Sequence, residues 1–109
     1  LADHDSELEF ALELILKAVE ADPKNSAYLD SLGWVYFKMG RYIEAEEQLE
    51  NALSLSPEEE EILAHNIELK IALDKYEEAL TLLERGIKLF PGSDMLRKFK
   101  KTLVNSTNE

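Results

Sequence analysis

Chemistry in a sequence of 109 residues without cysteine has to come from histidine, carboxylates, hydroxyls and lysine. Two histidines are present. His4 stands between Asp3 and Asp5, a sequence that resembles a metal ligand set, but no second histidine lies near it in sequence. His65 is isolated beside Asn66 and reads as a partly exposed or hydrogen-bonded side chain rather than a catalytic one. There is no glycine-rich phosphate loop, no nucleophile elbow, and no carboxylate pair in apolar surroundings that would shift a pKa. These residues call for no enzyme, cofactor or metal. The absence of cysteine also removes disulfides and thiolate ligands.

Charge narrows the partners. The net charge is −11, which argues against nucleic acid, whose phosphates need clustered Lys and Arg. The acidic character includes the run Glu58 to Glu61, whereas Arg97, Lys98, Lys100 and Lys101 make the last segment basic. Both read as solvated helix faces. No apolar run approaches the roughly 18 residues of a membrane span, so direct membrane insertion is not expected. The chain opens LADHD without an initiator methionine, and is expected to be cut from something longer.

The elements that position these residues follow from a repeat. Pro23, Pro57 and Pro91 lie 34 residues apart, and the same interval links Leu8, Tyr42 and Tyr76; Ala11, Ala45 and Ala79; Ile15, Leu49 and Leu83; and Ala18, Ala52 and Gly86. A shared period across proline, aromatic, small and aliphatic positions marks a tandem array of helical pairs. Within one period, Asn25 or Ser26 caps a helix running to Met39, Gly40 stops it, and a second helix runs from Arg41 or Tyr42 to about Leu55. Ser56 to Glu59 reads as a capping box opening the next helix, which reaches about Leu73; its partner spans Lys75 or Tyr76 to Phe90. Pro91 to Ser93 break into a last helix from Asp94, and Ser6 with Glu9 reads as a capping box for the first. Six helices and no strand are expected.

The pattern Leu29, Leu32, Gly33, Tyr36, Tyr42, Ala45, Ala52 and Pro57 resembles the tetratricopeptide repeat, and the phrases LADHD and DSLGWVYFKMGRYIEAEEQLENAL are similar to bacterial members of that family. The resemblance implies an all-α solenoid: residues 1–25 the second helix of a truncated repeat, 26–59 a full repeat, 60–93 a degenerate repeat, and 94–109 a capping helix with Met95, Leu96, Phe99 and Leu103 on its apolar face. It places Gly33 and Ala45 where two antiparallel helices come closest. In the degenerate copy Asn66, Ile67 and Lys70 replace Leu32, Gly33 and Tyr36. There Lys70 is expected to lay its stem on apolar surface with its amine outside, and Asn66 needs a hydrogen-bond partner.

The function implied is a protein–protein interaction scaffold, whose first helices line a concave groove. The candidate groove residues are Asp30, Trp34, Phe37 and Lys38, continued by Glu61, Ala64, Glu68 and Ile71. Trp34 and Phe37 with Ala64 and Ile71 suit apolar side chains, and Asp30, Glu61 and Glu68 suit basic flanks. Alternatives are a substrate-selecting segment of a larger enzyme and an architectural spacer in an envelope complex. A bacterial cytoplasm or periplasm is the expected compartment. The opening helix, apolar along Leu8, Ala11, Leu12, Ile15 and Val19, is expected to self-associate.

Overall fold

The computed structural model describes residues 2–107, with side chains for 6–105; the expectation at His4 falls on a side chain outside the described ones. The described residues form six helices and no strand: α1 (Ala2–Ala21), α2 (Ser26–Lys38), α3 (Tyr42–Leu55), α4 (Glu60–Ala72), α5 (Tyr76–Leu89) and α6 (Asp94–Thr107). Each packs against its predecessor, and α2 with α4 and α4 with α6 also touch across the repeat. This is a solenoid of antiparallel pairs, with α2, α4 and α6 on one side.

Two turns are built alike. Gly40 has φ +78° and Asp74, one period later, φ +60°. In both, the residue after the left-handed one donates its N–H back to the last turn: Arg41 to Tyr36 O at 2.9 Å and Lys75 to Lys70 O at 2.8 Å. Gly40 N–H reaches Phe37 O and Asp74 N–H reaches Ile71 O, both at 3.0 Å, so both are Schellman closures. Aspartate tolerates the left-handed conformation better than most side chains, and Asp74 Oδ1 accepts a hydrogen bond from Tyr76 Oη.

The N-caps differ from the sequence expectation in two places. Asn25 does cap α2, its Oδ1 accepting from Tyr28 N–H at 3.0 Å. But α4 starts at Glu60 with Glu59 as N-cap, so Ser56 to Glu59 is no capping box. Ser56 ends α3 and its hydroxyl shares a 2.6 Å hydrogen bond with that of Ser26. The period explains the error: Asn25, Glu59 and Ser93 are the equivalent cap positions, each two residues past its proline, and Ser93 Oγ accepts from Leu96 N–H at 3.0 Å. The Ser6–Glu9 box also fails, because α1 begins at Ala2 and Ser6 is inside the helix.

The core forms in three sections along the stack. Leu29, Ala52 and Ile62 join α2, α3 and α4 with Val19 of α1. Ala45, Leu49 and Leu69 pack with Tyr36, Phe37 and Leu73. Ala64, Ile67, Ala79, Leu83, Leu96 and Leu103 close the α4, α5, α6 end. Gly33 lies where expected: a Cβ there would come within 2.6 Å of Leu49 Cγ and 3.2 Å of Ala45 O. In the next copy Ile67 fills that slot and is fully buried.

The α1 face bearing Leu8, Ala11, Leu12, Ile15 and Val19 is half-buried, while Phe10 (62% exposed) and Leu14 (51%) lie open one turn apart. That pair offers a second copy of the chain an apolar contact. The isolated chain is therefore expected to self-associate, with a weight-average mass in light scattering that rises with concentration and reverts towards the monomer in Phe10→Ser, Leu14→Ser.

Candidate peptide-binding groove

Side chains on the exposed sides of α2, α4 and α6 meet in a shallow groove of about 540 Å³ lined by Trp34, Ala64, His65, Glu68, Met95, Lys98, Phe99 and Thr102. Trp34 forms one wall. Its indole stacks on the His65 imidazole (centroids 4.1 Å, planes 20° apart) and on Phe37 (4.9 Å, 26°). Lys38 Nζ lies 4.9 Å from the indole centroid, within cation–π range. The ring is thus packed against two other rings and partly buried.

Beneath Trp34, Asp30 is buried to 5% exposure, and both its oxygens approach His65 Nδ1, at 2.8 and 3.0 Å. The carboxylate accepts, so Nδ1 carries the hydrogen. This contact ties α2 to α4 and orients the ring on which Trp34 stacks.

The structure brings Trp34, Ala64 and Glu68 together in the groove and puts Glu61, one turn before His65 on α4, in a neighbouring hollow with Asp30. It draws Phe37, Ile71 and Asp30 away from the groove face. Phe37 lies tilted against Tyr42 besides stacking on Trp34 and packs against Ala45, Leu49 and Leu69, so it is a wall of the core. Ile71 packs against the α4, α5, α6 core. Asp30 is engaged by His65 and offers no free rim charge, and Lys38 is exposed beside Trp34. Sequence reasoning missed His65, Met95, Lys98, Phe99 and Thr102. The last four were legible: Met95, Lys98, Phe99 and Thr102 fall 34 residues beyond Glu61, Ala64, His65 and Glu68, so α6 continues the groove as a first helix besides covering the stack.

The opposite side carries a different cluster. Lys70 is 3% exposed, and its Nζ lies 2.7 Å from Glu46, 2.6 Å from Glu50 and 3.2 Å from Glu78. The amine is therefore ion-paired at the α3, α4, α5 junction, and not outside. Burial disfavours its charge, but the hydrogen bonds to Glu46, Glu50 and Glu78 outweigh this and raise the Lys70 pKa above the ordinary lysine range. Lys70 and Lys75 hold the Glu46 carboxyl below the usual range. Asn66 Nδ2 donates to Leu49 O (3.0 Å) and Ile62 O (2.9 Å), while its buried Oδ1 has no partner among the described residues.

The tetratricopeptide repeat family model matches residues 36–101, with a second match over 14–47. The chain belongs to the tetratricopeptide repeat family. A TPR repeat-containing protein of Pseudomonas aeruginosa is 42% identical over 65 residues, 60% of this chain and 11% of the relative. The chain thus spans about a tenth of that curated relative's length. Among solved structures, a thermophilic TPR protein of Thermus thermophilus superposes with a TM-score of 0.84 at 26% identity, covering 92% of this chain and 51% of that one. The first TPR of Spaghetti (RPAP3), bound to the HSP90 peptide SRMEEVD, superposes with a TM-score of 0.88 at 21% identity, covering 97% and 84%. At that identity the likeness is one of fold. Tetratricopeptide repeat motif residues are packing residues, which is why family membership fixes this architecture while leaving the groove chemistry to be read from Trp34 and its neighbours.

Proposed function

We propose that this tetratricopeptide repeat segment is a non-catalytic protein–protein interaction scaffold that holds an extended or helical protein segment in the α2, α4, α6 groove. The observation that carries this is the groove itself: a stacked, partly buried indole lining it with Ala64, Met95 and Phe99, and the charged Glu68 and Lys98 beside them. Such an arrangement offers a central anchor for an apolar side chain and polar groups to set register. Glu61 and Glu68 favour Lys or Arg on the flank of the partner that lies against α4, an attraction that salt weakens.

Truncating a buried tryptophan anchor typically costs about 2 kcal/mol, roughly thirtyfold in affinity. Trp34→Ala is expected to cut partner capture by that order in a pull-down while far-UV circular dichroism stays helical. Undiminished capture, or loss of the helical signal, would place Trp34 in the core and not in the site.

The charge pattern also argues against acidic chaperone tails. Among the described residues, Lys98 is the one cation lining the groove, and Glu61 and Glu68 would repel a carboxylate-rich segment. The peptide SRMEEVD, which the Spaghetti domain holds, is expected to show no saturable binding here in a calorimetric titration; micromolar affinity would overturn this charge reading.

A further inference from the structure

The geometry points to a divalent transition-metal site, of the Zn2+ or Ni2+ type, formed by Asp30, Glu61 and His65. One ligand atom from each of these side chains lies within 4.8 Å of the others. Glu61 and His65 are four residues apart on α4, which puts both on one helix face, and Asp30 comes from the facing turn of α2. The three differ in freedom. Asp30 is buried, and the His65 ring is fixed by the Trp34 stack at 4.1 Å. Glu61 is exposed and can swing to close the set around an ion with bonds of about 2.0–2.2 Å.

The second observation concerns charge. The Asp30 side chain is 7% exposed, and its only hydrogen-bond partner among the described residues is a histidine nitrogen. A buried carboxylate requires a counter-charge or a metal; among the described residues His65 is the one group in place to supply it, and a divalent ion at the same point would supply it in full. An ion bound at Nδ1 would occupy the place of the hydrogen shared with Asp30. Imidazole with two carboxylates suits a borderline ion. Three protein ligands leave one position of a four-coordinate ion for water or another ligand, unlike a closed structural site.

Trp34 is the only tryptophan and stacks on the proposed ligand ring, so it reports binding directly. Zn2+ alone, titrated into the chain by calorimetry in a non-chelating buffer, is expected to bind at one equivalent. Ni2+ is expected to quench Trp34 fluorescence saturably, and Zn2+ to reverse the quench. Glu61→Gln, at an exposed position that leaves the fold untouched, should weaken binding about tenfold or more, and His65→Ala should abolish it. His4→Ala should change nothing, which separates this site from the Asp3, His4, Asp5 sequence. Absence of saturable uptake, uptake lost in His4→Ala, or uptake unchanged in Glu61→Gln and His65→Ala would each overturn the assignment.

Discussion

Gly33→Val is expected to destabilise the fold by about 1–3 kcal/mol, at the upper end of that range, and to lower the thermal midpoint by roughly 10 °C. Two effects compete. Removing a helical glycine favours the helix by about 0.5–1 kcal/mol, but the new Cβ would meet Leu49 Cγ at 2.6 Å, Leu49 Cδ2 at 2.8 Å and Ala45 O at 3.2 Å. Ala45 O is backbone, and Leu49 is fully buried among its neighbours, so neither can yield without moving α3 away from α2. Overpacking wins. Gly33→Ala should therefore also destabilise, by less, although propensity alone predicts the opposite sign. Gly92→Ala is the control, since nothing lies within 4 Å of a Cβ there. Urea unfolding of the three variants decides the matter; a stabilised Gly33→Ala would show that α2 and α3 do not depend on this close approach.

Lys70→Ala is expected to cost about 2–3 kcal/mol at neutral pH. Breaking a buried ion pair costs about 3–5 kcal/mol when the remaining charge cannot be hydrated. Here Glu50 and Glu78 are more than half exposed (54% and 57%) and Glu46 retains Lys75 at 2.8 Å, so the loss falls below that range. The pH dependence has a definite sign. Glu46 titrates lower in the fold than its ordinary value of 4.5, so its contribution is complete above about 4.5 and is lost as pH falls through the folded value. Lys70 titrates higher than its ordinary 10.5, so its contribution is complete below about 10.5 and is lost only at pH above that. The gap in urea midpoint between the native chain and Lys70→Ala should therefore be constant from about pH 5 to 10 and narrow on acidification to about pH 3. A gap that widens in acid would contradict the ion-pair account.

The fold was legible because one interval of 34 residues constrains prolines, small residues and aromatics at once, and because Gly40 and the Gly33–Ala45 contact are backbone requirements that a sequence states openly. Local signals did worse where they competed with that interval. Ser56 looks like a cap, yet the cap falls on Glu59, the position equivalent to Asn25, and Ser56 instead bonds to Ser26. The groove was legible on α2 and α4, where Trp34, Ala64 and Glu68 do meet. It was not legible at His65, because its partner Asp30 lies 35 residues away on another helix, and no local spacing encodes a cross-helix pair. Phe37 and Ile71 share the apolar character of groove residues, but each stands three residues past a groove residue, about 60° short of a full turn, which rotates them towards α3 and α5. Lys70 was misjudged because its three carboxylates come from α3 and α5, and the pairing exists only once the helices stack.

The groove reading is tested most directly by selecting peptides from an unbiased display library on the folded chain and mapping one selected peptide by NMR chemical-shift perturbation. The account predicts peptides with an apolar anchor and adjacent Lys or Arg, shifts centred on Trp34, Ala64, Glu68 and Phe99, and binding lost in folded Trp34→Ala. Selected peptides rich in Asp and Glu, or shifts centred on the outer faces of α3 and α5, would contradict it.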